Sequence, residues 1–257
     1  MIEARGLFKS FGQVAAVRGV SFAARNGQIT GLLGPNGAGK STTLRMLYTV
    51  LKPNAGDALI DGTSVTANPL AARRAIGVLS HGAGVYNNLT ARENILYFGE
   101  LHGLSVADRE ARAAELIEQL EMQEFADRLA KGFSQGQKLK TALARALVHR
   151  PRNVLLDEPT NGLDVMAVRN LRKLLGRLRD DGHCVLFSSH VMQEVEQLCD
   201  EVVVIAGGEV VAAGGLADIR ARAGSAQLED AFVNLLGGAA DQDKNNGGNG
   251  KPAEPKP

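Results

Sequence analysis

The sequence contains no tryptophan, and its aromatic residues make up only 4% of 257 positions. Proteins that bind single-stranded nucleic acids commonly stack bases on aromatic side chains, so this scarcity disfavours that mode of binding. Neither sign of charge dominates, since 29 basic residues are matched by 28 acidic ones. A broadly basic nucleic-acid binder is therefore excluded, although a local basic patch is not, and we expect no nucleic-acid partner.

Long apolar runs and cysteines are scarce as well. The most apolar stretch, residues 202–215, is broken by Glu209 and by glycines, and no run approaches the roughly 18 residues of a membrane-spanning helix. The N-terminus has no basic segment followed by an apolar one, so we expect no secretory signal. The two cysteines, Cys184 and Cys199, allow one disulfide at most. We expect both to remain thiols in a reducing cytoplasm, with Cys184 as a small core residue.

Glycine, in contrast, is abundant. The 30 glycines make up about 12% of the chain against a usual share of roughly 7%, so about a dozen of them need a separate explanation. Five lie after residue 236, and eight lie in or beside the nucleotide-associated motifs described below, namely Gly34, Gly37, Gly39, Gly82, Gly84, Gly132, Gly136 and Gly162. The excess therefore has two unrelated sources.

Apolar, β-branched runs alternate with helical patterns, which predicts an α/β protein with a mainly parallel sheet. The predicted strands cover residues 2–7, 14–22, 29–33, 58–60, 76–79, 153–156, 184–187 and 202–205, with a final hairpin to 209–213. The predicted helices cover residues 41–50, 90–102, 107–122, 137–149, 165–180, 192–199 and 228–236. Turns rather than helices separate the first strands, which indicates an antiparallel β-subdomain beside the parallel core.

Two segments differ from this alternating pattern. Residues 90–148 carry no convincing strand pattern and are predicted to be a helical subdomain inserted into the core. From residue 237 onward glycine, asparagine, proline and charged residues replace apolar ones, which predicts a disordered tail over 237–257. Residues 1–236 are predicted to form one domain.

A glycine-rich motif follows the third predicted strand and leads into a helix. It matches the phosphate-binding pattern G-x-x-x-x-G-K-[ST] in full, as Gly34-Pro35-Asn36-Gly37-Ala38-Gly39-Lys40-Ser41, followed by Thr42. The glycines let backbone N–H groups approach phosphates, and the helix N-terminus adds partial positive charge. We expect Lys40 to reach the β- and γ-phosphates of a nucleotide and the Ser41 hydroxyl to bind Mg²⁺.

The strand predicted at 153–156 ends on two carboxylates, Asp157 and Glu158. Alone, such a pair more often begins a solvated loop. Beside a phosphate-binding loop, an acid at the carboxyl end of a parallel strand lies where Mg²⁺ is held. We therefore assign Asp157 to the metal and Glu158 to polarising the attacking water as a general base.

Several further segments, spread over about residues 2–236, resemble the ATP-binding subunit of ABC transporters. They are Phe133-Ser134-Gln135-Gly136-Gln137, similar to the signature usually written LSGGQ; Gly162-Leu163-Asp164, similar to the D-loop; Ser188-Ser189-His190, similar to the switch-histidine segment; Phe11, at the position of the adenine-stacking aromatic; and residues 76–79 with 89–94, similar to the Q-loop region. Their order along the chain makes the resemblance specific.

The resemblance implies a P-loop NTPase fold, ATP and Mg²⁺ as bound groups, and hydrolysis by Glu158, His190 and Lys40. It also implies a head-to-tail dimer, in which the signature and D-loop of one subunit cover the ATP of the other, through residues Ser134, Gly136, Gln137 and Asp164. The second ATP-binding subunit is either an identical or a sister chain. A separate integral-membrane permease would hold the subunit at the cytoplasmic face of the membrane, through a contact near residues 82–90.

Two positions depart from the family pattern. His81 stands where the family usually has a glutamine that helps to coordinate Mg²⁺ and transmits the nucleotide state. An imidazole reaches less far and titrates near neutral pH, so two interpretations stay open: a modified nucleotide- and metal-binding role, or a bystander. Gln135 replaces a signature glycine, and its side chain either crowds the partner's phosphate or points away. Since Glu158 and His190 are present, we expect hydrolysis to survive.

The subfamily is indicated by residues 84–94 and 228–232, which resemble exporter-type subunits of sodium-extrusion and drug- or polysaccharide-export systems. One alternative is a soluble ABC-type ATPase acting on ribosomes or nucleic acid, although such proteins usually carry two nucleotide domains or long coiled-coil insertions. Another is a weakly hydrolysing ATP-binding partner subunit, suggested by His81 and Gln135. The remaining histidines, His102, His149 and His183, are expected at the surface.

Overall fold

A six-stranded sheet forms the centre of the fold in the computed structural model, which describes residues 1–82, 84–225, 227, 229–230 and 232–234. In chain order its described strands are β1 (Ile2–Phe11), β2 (Val14–Ala24), β3 (Gln28–Leu33), β4 (Ala55–Ile60), β5 (Thr63–Ser64), β6 (Ile76–Leu79), β7 (Asn153–Asp157), β8 (Cys184–Ser189), β9 (Glu201–Ala206) and β10 (Glu209–Gly215). The described helices are α1 (Lys40–Leu47), α2 (Pro69–Arg74), α3 (Ala91–Leu101), α4 (Val106–Gln119), α5 (Gln135–Leu147), α6 (Val165–Asp180), α7 (Met192–Leu198) and α8 (Leu216–Ala223).

The six-stranded sheet has the order β10-β9-β3-β8-β7-β6, and its neighbouring strands are parallel except in the β9–β10 hairpin. The predicted mainly parallel α/β core is therefore confirmed. β3, β7 and β8 are almost entirely buried, as the continuous apolar runs in their sequences indicate. The register places Leu33 beside Ser189 and Asp157 beside Ser188. The segments that follow β3, β7 and β8 consequently meet at one edge of the sheet.

The second sheet has the order β2-β1-β4-β5 and is antiparallel throughout its described strands, which confirms the predicted antiparallel β-subdomain. β1 continues to Phe11 rather than ending at Leu7, because its pairing with β2 extends to the tight turn that contains Gly12. The two-residue strand β5 has no counterpart in the prediction, since so short an element leaves no readable alternation.

Two apolar cores lie on opposite faces of the six-stranded sheet. One core packs the sheet against α3–α7 and includes Ile29 and Leu33, whereas the other packs it against α1 and the antiparallel sheet and includes Leu32. Alternate residues of β3 enter different cores, as the two-residue repeat of a strand dictates. The loop after β3 therefore starts from a strand that is held on both sides.

Three helices, α3, α4 and α5, occupy the segment between β6 and β7 for which a helical subdomain is predicted. Each begins at a side-chain cap: Thr90 accepts from the N–H of Glu93, Ser105 from that of Asp108, and Ser134 from that of Gln137. Such caps satisfy backbone donors that lack partners within the helix, so these polar residues determine where the helices start.

Some predicted boundaries differ from the described structure. α1 ends at Leu47 instead of residue 50, because Thr49 adopts a left-handed φ of 64°. α2 and α8 are not among the predicted helices, although Pro69 at the start of α2 is a recognised helix-start signal. Residues 229–230 and 232–234 are helical, whereas 228, 231, 235 and 236 of the predicted last helix, and the predicted tail at 237–257, lie outside the described residues. No described helix is long and apolar enough to cross a membrane.

Candidate active site

The glycine-rich loop joins β3 to α1, and its backbone needs glycine at three positions. Gly37 and Gly39 have φ values of 79° and 103°, in the left-handed region that favours glycine. A Cβ at Gly34 would lie 2.3 Å from the carbonyl oxygen of Ile205, and one at Gly39 would lie 2.5 Å from that of Ala16. The loop thus takes its shape from close packing against two neighbouring segments.

Lys40 lies across this loop, with only 5% of its surface exposed. Its ammonium group donates to the carbonyl oxygens of Gly34 at 2.8 Å and Pro35 at 3.0 Å, and lies 3.9 Å from Oε1 of Glu158. Burial lowers the pKa of Lys40, while the carboxylates of Glu158 and Asp157 act in the opposite direction. The loop therefore holds a positive charge inside its curve, as phosphate binding requires.

Asp157, at the end of β7, accepts two hydroxyl hydrogen bonds on one oxygen. The Ser41 and Ser188 hydroxyls donate to its Oδ1 at 3.0 Å and 2.7 Å. Its Oδ2 is buried and has no hydrogen-bond partner in the part of the chain that the structure describes. A buried carboxylate oxygen without a partner is costly, and hard cations such as Mg²⁺ take oxygen ligands of this kind. Asp157 and Ser41 therefore fit a magnesium ion.

Glu158 lies between Lys40 of the phosphate-binding loop and His190 of the switch-histidine segment. Its φ of 49° is unusual for a residue other than glycine, and its backbone N–H donates to the Ser188 hydroxyl at 2.9 Å. Its Oε1 lies 3.4 Å from Nδ1 of His190, whose side chain is 43% exposed. The structure thus brings Lys40, Ser41, Asp157, Glu158 and His190 together at one sheet edge.

The signature and D-loop residues form a second group. Ser134 caps α5 in a reciprocal capping box with Gln137, and Asp164 caps α6 by accepting from the N–H of Ala167 at 2.8 Å. Ser134, Gly136, Gln137 and Asp164 all line a cleft of about 270 Å³ between α5 and α6. The phosphate-binding loop lines a different cavity, of about 150 Å³, formed by Ala16, Glu158 and residues 36–42.

The two residues that depart from the family pattern, His81 and Gln135, line the same cavity. This cavity of about 470 Å³ is also lined by Asp157, Glu158 and Gly162. His81 is exposed, so its ring is accessible from this cavity. Phe11 lies apart from it at the end of β1, 49% exposed and with the Lys9 ammonium 5.7 Å from its ring centroid.

One residue beside this site, Glu194, is not among the predicted site residues, and the predicted position of another, His149, is wrong. Glu194 is buried and hydrogen-bonded to Thr160, although it lies in a helix where glutamate is commonly exposed. The only sequence signal for it is a carboxylate next to the apolar Val195. His149 is half-buried and stacked on the exposed His102, with ring centroids 3.6 Å apart, so the expectation of a surface position is wrong for His149.

Comparisons with known proteins agree with this geometry. Residues 17–161 match the ABC transporter family. The ABC transporter ATP-binding protein NatA of Bacillus subtilis is 41% identical over 87% of this chain and 91% of its own length. The daunorubicin/doxorubicin resistance ATP-binding protein DrrA of Streptomyces peucetius is 39% identical over 87% of this chain and 68% of its own.

Solved structures of ATP-binding cassettes are also similar to this chain. An ATP-binding subunit of an ABC transporter superposes with a TM-score of 0.84, at 29% identity over 91% of this chain and 99% of its own. A dimeric post-hydrolysis cassette, MJ0796 bound to ADP and Pi, has a TM-score of 0.75 at 28% identity, over 84% of this chain and 99% of its own. The fold and the site define a P-loop ATPase. The chain belongs to the ABC transporter family and is an ATP-binding and ATP-hydrolysing subunit of that family.

Proposed function

We propose that this chain powers export through a separate integral-membrane permease by closing head-to-tail on a second ATP-binding subunit. The observation that carries the proposal is that the phosphate-binding loop lines one cavity, whereas Ser134, Gly136, Gln137 and Asp164 line a different cavity of the same chain. The loop with Lys40 holds the phosphates, and the signature around Ser134 presents a helix N-terminus suited to an anion. In a head-to-tail pair, each signature would cover the nucleotide of the other chain.

In this arrangement the adenine stacks on the exposed ring of Phe11, and the phosphates lie along Gly34, Pro35, Asn36, Gly37, Ala38, Gly39, Lys40, Ser41 and Thr42. Ser41 and Asp157 would hold Mg²⁺, with His81 reaching it from the neighbouring cavity. The bound ion would neutralise charge on the β- and γ-phosphates. Ser134, Gly136, Gln137 and Asp164 contribute from the partner subunit.

Hydrolysis needs a polarised water and a group that senses the γ-phosphate. Glu158 is suited to the first role, since its carboxylate lies beside the loop and can take a proton from the water. His190 is suited to the second, because its Nδ1 contacts Glu158 at 3.4 Å and its partly exposed ring can face the phosphate. Lys40 balances the charge that develops on the phosphoryl oxygens.

The permease contact is placed in a groove between the core and the helical segment, at the cytoplasmic face of the membrane. A cavity of about 240 Å³ lies there, lined by Tyr48, Arg73, Phe98, His102, Arg145 and His149 among others. The Arg145 guanidinium packs 3.8 Å from the Phe98 ring centroid and donates to the carbonyl oxygen of Gly84 at 2.8 Å. It thereby connects the groove to residues 82–90, where a permease contact is expected.

The transported substrate is a property of the permease. The printed names of two relatives describe daunorubicin/doxorubicin resistance and linearmycin resistance, and those of three others Nod factor export. Those names support export as the direction of transport for this chain, and none of those molecules is assigned to it.

The test combines two variants with the permease present in detergent extract. Glu158→Gln should retain ATP binding and accumulate as an ATP-bound dimer, because binding closes the pair while the water is no longer activated. Lys40→Ala should abolish nucleotide-dependent dimerisation and hydrolysis. Size-exclusion chromatography with Mg-ATP and a turnover assay give both readouts. A monomeric Glu158→Gln protein at saturating Mg-ATP with its permease present, or recovery of nucleic acid instead of a membrane protein, would contradict the proposal.

A further inference from the structure

One buried carboxylate beside the active site is not used by the chemistry described above. Glu194, in the short helix α7, is 9% exposed. Its Oε2 accepts hydrogen bonds from two hydroxyls, Thr160 Oγ1 at 2.8 Å and Ser189 Oγ at 2.8 Å. In the part of the chain that the structure describes, it has no ion pair with a lysine, arginine or histidine within 4.0 Å. The two hydroxyls are therefore the contacts that offset the cost of its burial.

The two hydroxyls belong to two different segments, one that follows Glu158 and one that precedes His190. Thr160 follows Glu158 by two residues and begins the turn to the D-loop, in which the N–H of Leu163 donates to the Thr160 carbonyl at 3.1 Å. Ser189 directly precedes His190, and its hydroxyl also accepts from the N–H of Val191 at 3.0 Å. One carboxylate oxygen thus joins the segment after Glu158 to the backbone on both sides of His190.

We propose that Glu194 is a positioning residue for hydrolysis, which fixes the D-loop turn and the switch-histidine segment relative to each other through its Thr160 and Ser189 hydrogen bonds. The Glu158–His190 contact is 3.4 Å long and spans these two segments. A carboxylate only accepts, so both hydroxyls must donate toward it, which leaves the Ser189 oxygen free to accept from Val191. A shift of either segment by about 1 Å would be enough to lower turnover on the order of 10²-fold.

The proposal predicts that acceptor capacity, rather than charge, is what matters at position 194. Glu194→Ala should lower kcat for ATP on the order of 10²-fold, with the KM for ATP within about twofold, since phosphate and adenine contacts are untouched. Glu194→Gln keeps a side-chain oxygen acceptor of the same length and should retain at least a third of the wild-type kcat. Ser189→Ala and Thr160→Val each remove one hydroxyl and should give intermediate losses.

The measurement is steady-state turnover against ATP concentration, with thermal unfolding recorded for each variant. The matched control is Glu196→Ala on the same helix, because Glu196 is exposed and pairs with Arg220 at 2.8 Å at the surface. The control should keep its kcat even where its melting temperature falls. A Glu194→Ala protein with wild-type kcat would overturn the proposal. So would a Glu194→Gln protein as slow as Glu194→Ala, or kcat losses that follow the melting temperature across all variants.

Discussion

At the scale of single residues, two buried carboxylates of this subunit differ in the hydrogen-bond donors that surround them. Asp157, beside Ser41, has one buried oxygen with no hydrogen-bond partner among the described residues, whereas one oxygen of Glu194 accepts from two hydroxyls. Both are buried carboxylates, yet the first is suited to a cation and the second to loop positioning. The difference lies in which donors surround each oxygen, and a sequence pattern does not contain that information.

His149 carries a pH dependence that can be worked out from its surroundings. Burial lowers the pKa of His149 to about 4, helped by the neighbouring His102 and Arg112, while the Ile76 carbonyl acts in the opposite direction. The unfolded chain, with an ordinary histidine pKa near 6.5, therefore takes up the proton first as the pH falls. The contribution of the neutral His149 to the free energy of unfolding is fully present above about pH 6.5. It falls by about 1–3 kcal/mol as the pH falls toward 4.

The measurement is urea unfolding at pH 7 and pH 5 for the wild type and for His149→Gln. An amide at this position can still donate to the Ile76 carbonyl, which the His149 Nε2 contacts at 3.0 Å, but it does not titrate. The variant should lose less stability between the two pH values than the wild type does. Because the carboxylates are common to both proteins, their titration cancels in this difference. Equal losses in the two proteins would show that His149 has no part in the effect.

At the scale of secondary-structure elements, helix starts serve both stability and the site. Ser134 and Ser105 cap α5 and α4 in the same way, each accepting from the N–H three residues later. Only Ser134 also lines the cleft that we assign to the partner's nucleotide. The same local chemistry therefore has one role at α4 and two roles at α5.

This pair of caps gives a matched comparison. Ser134→Ala and Ser105→Ala should each lower the free energy of unfolding by about 1 kcal/mol, because each removes one cap. Only Ser134→Ala should also lower ATP turnover, by about tenfold or more, since a hydrogen bond to a charged phosphate is worth about 1.5–3 kcal/mol. Denaturant melts and steady-state ATPase assays provide the two readouts. Equal turnover in the two variants would show that the Ser134 hydroxyl does not contact the nucleotide.

At the scale of the whole molecule, the sequence predicts features that a motif or a local pattern marks, and it does not predict unmarked contacts between distant residues. The phosphate-binding loop and the capped start of α5 follow from residues that lie next to each other in the chain. Sequence patterns miss Glu194 because its partners include Thr160, 34 residues away. They misplace His149 because its stacking partner, His102, follows the end of α3, 47 positions earlier in the chain. The two-residue β5 has too few side chains for any periodicity. Long-range packing thus decides the details that local patterns leave open.

The two cysteines report on whether the two cores unfold as one unit. Cys184 belongs to the core beneath the antiparallel sheet and Cys199 to the core beneath the helices; both are buried thiols. Burial raises the pKa of Cys184 to about 11 and also raises that of Cys199, so neither forms the reactive thiolate in the folded state. Since β3 contributes Leu32 to one core and Leu33 to the other, opening either core disturbs the strand that holds both.

Cys184→Ala leaves Cys199 as the single thiol, and Cys199→Ala leaves Cys184. We therefore expect that in each variant the urea midpoint for labelling of the remaining thiol equals the midpoint for loss of helical circular dichroism. At pH 8 without urea, both should react far more slowly than a free thiol, because burial blocks access and suppresses the thiolate. Labelling of Cys199 well below the midpoint for loss of helix, with Cys184 still protected, would show that the helical side opens separately. The shared β3 strand would then not couple the two faces of the sheet.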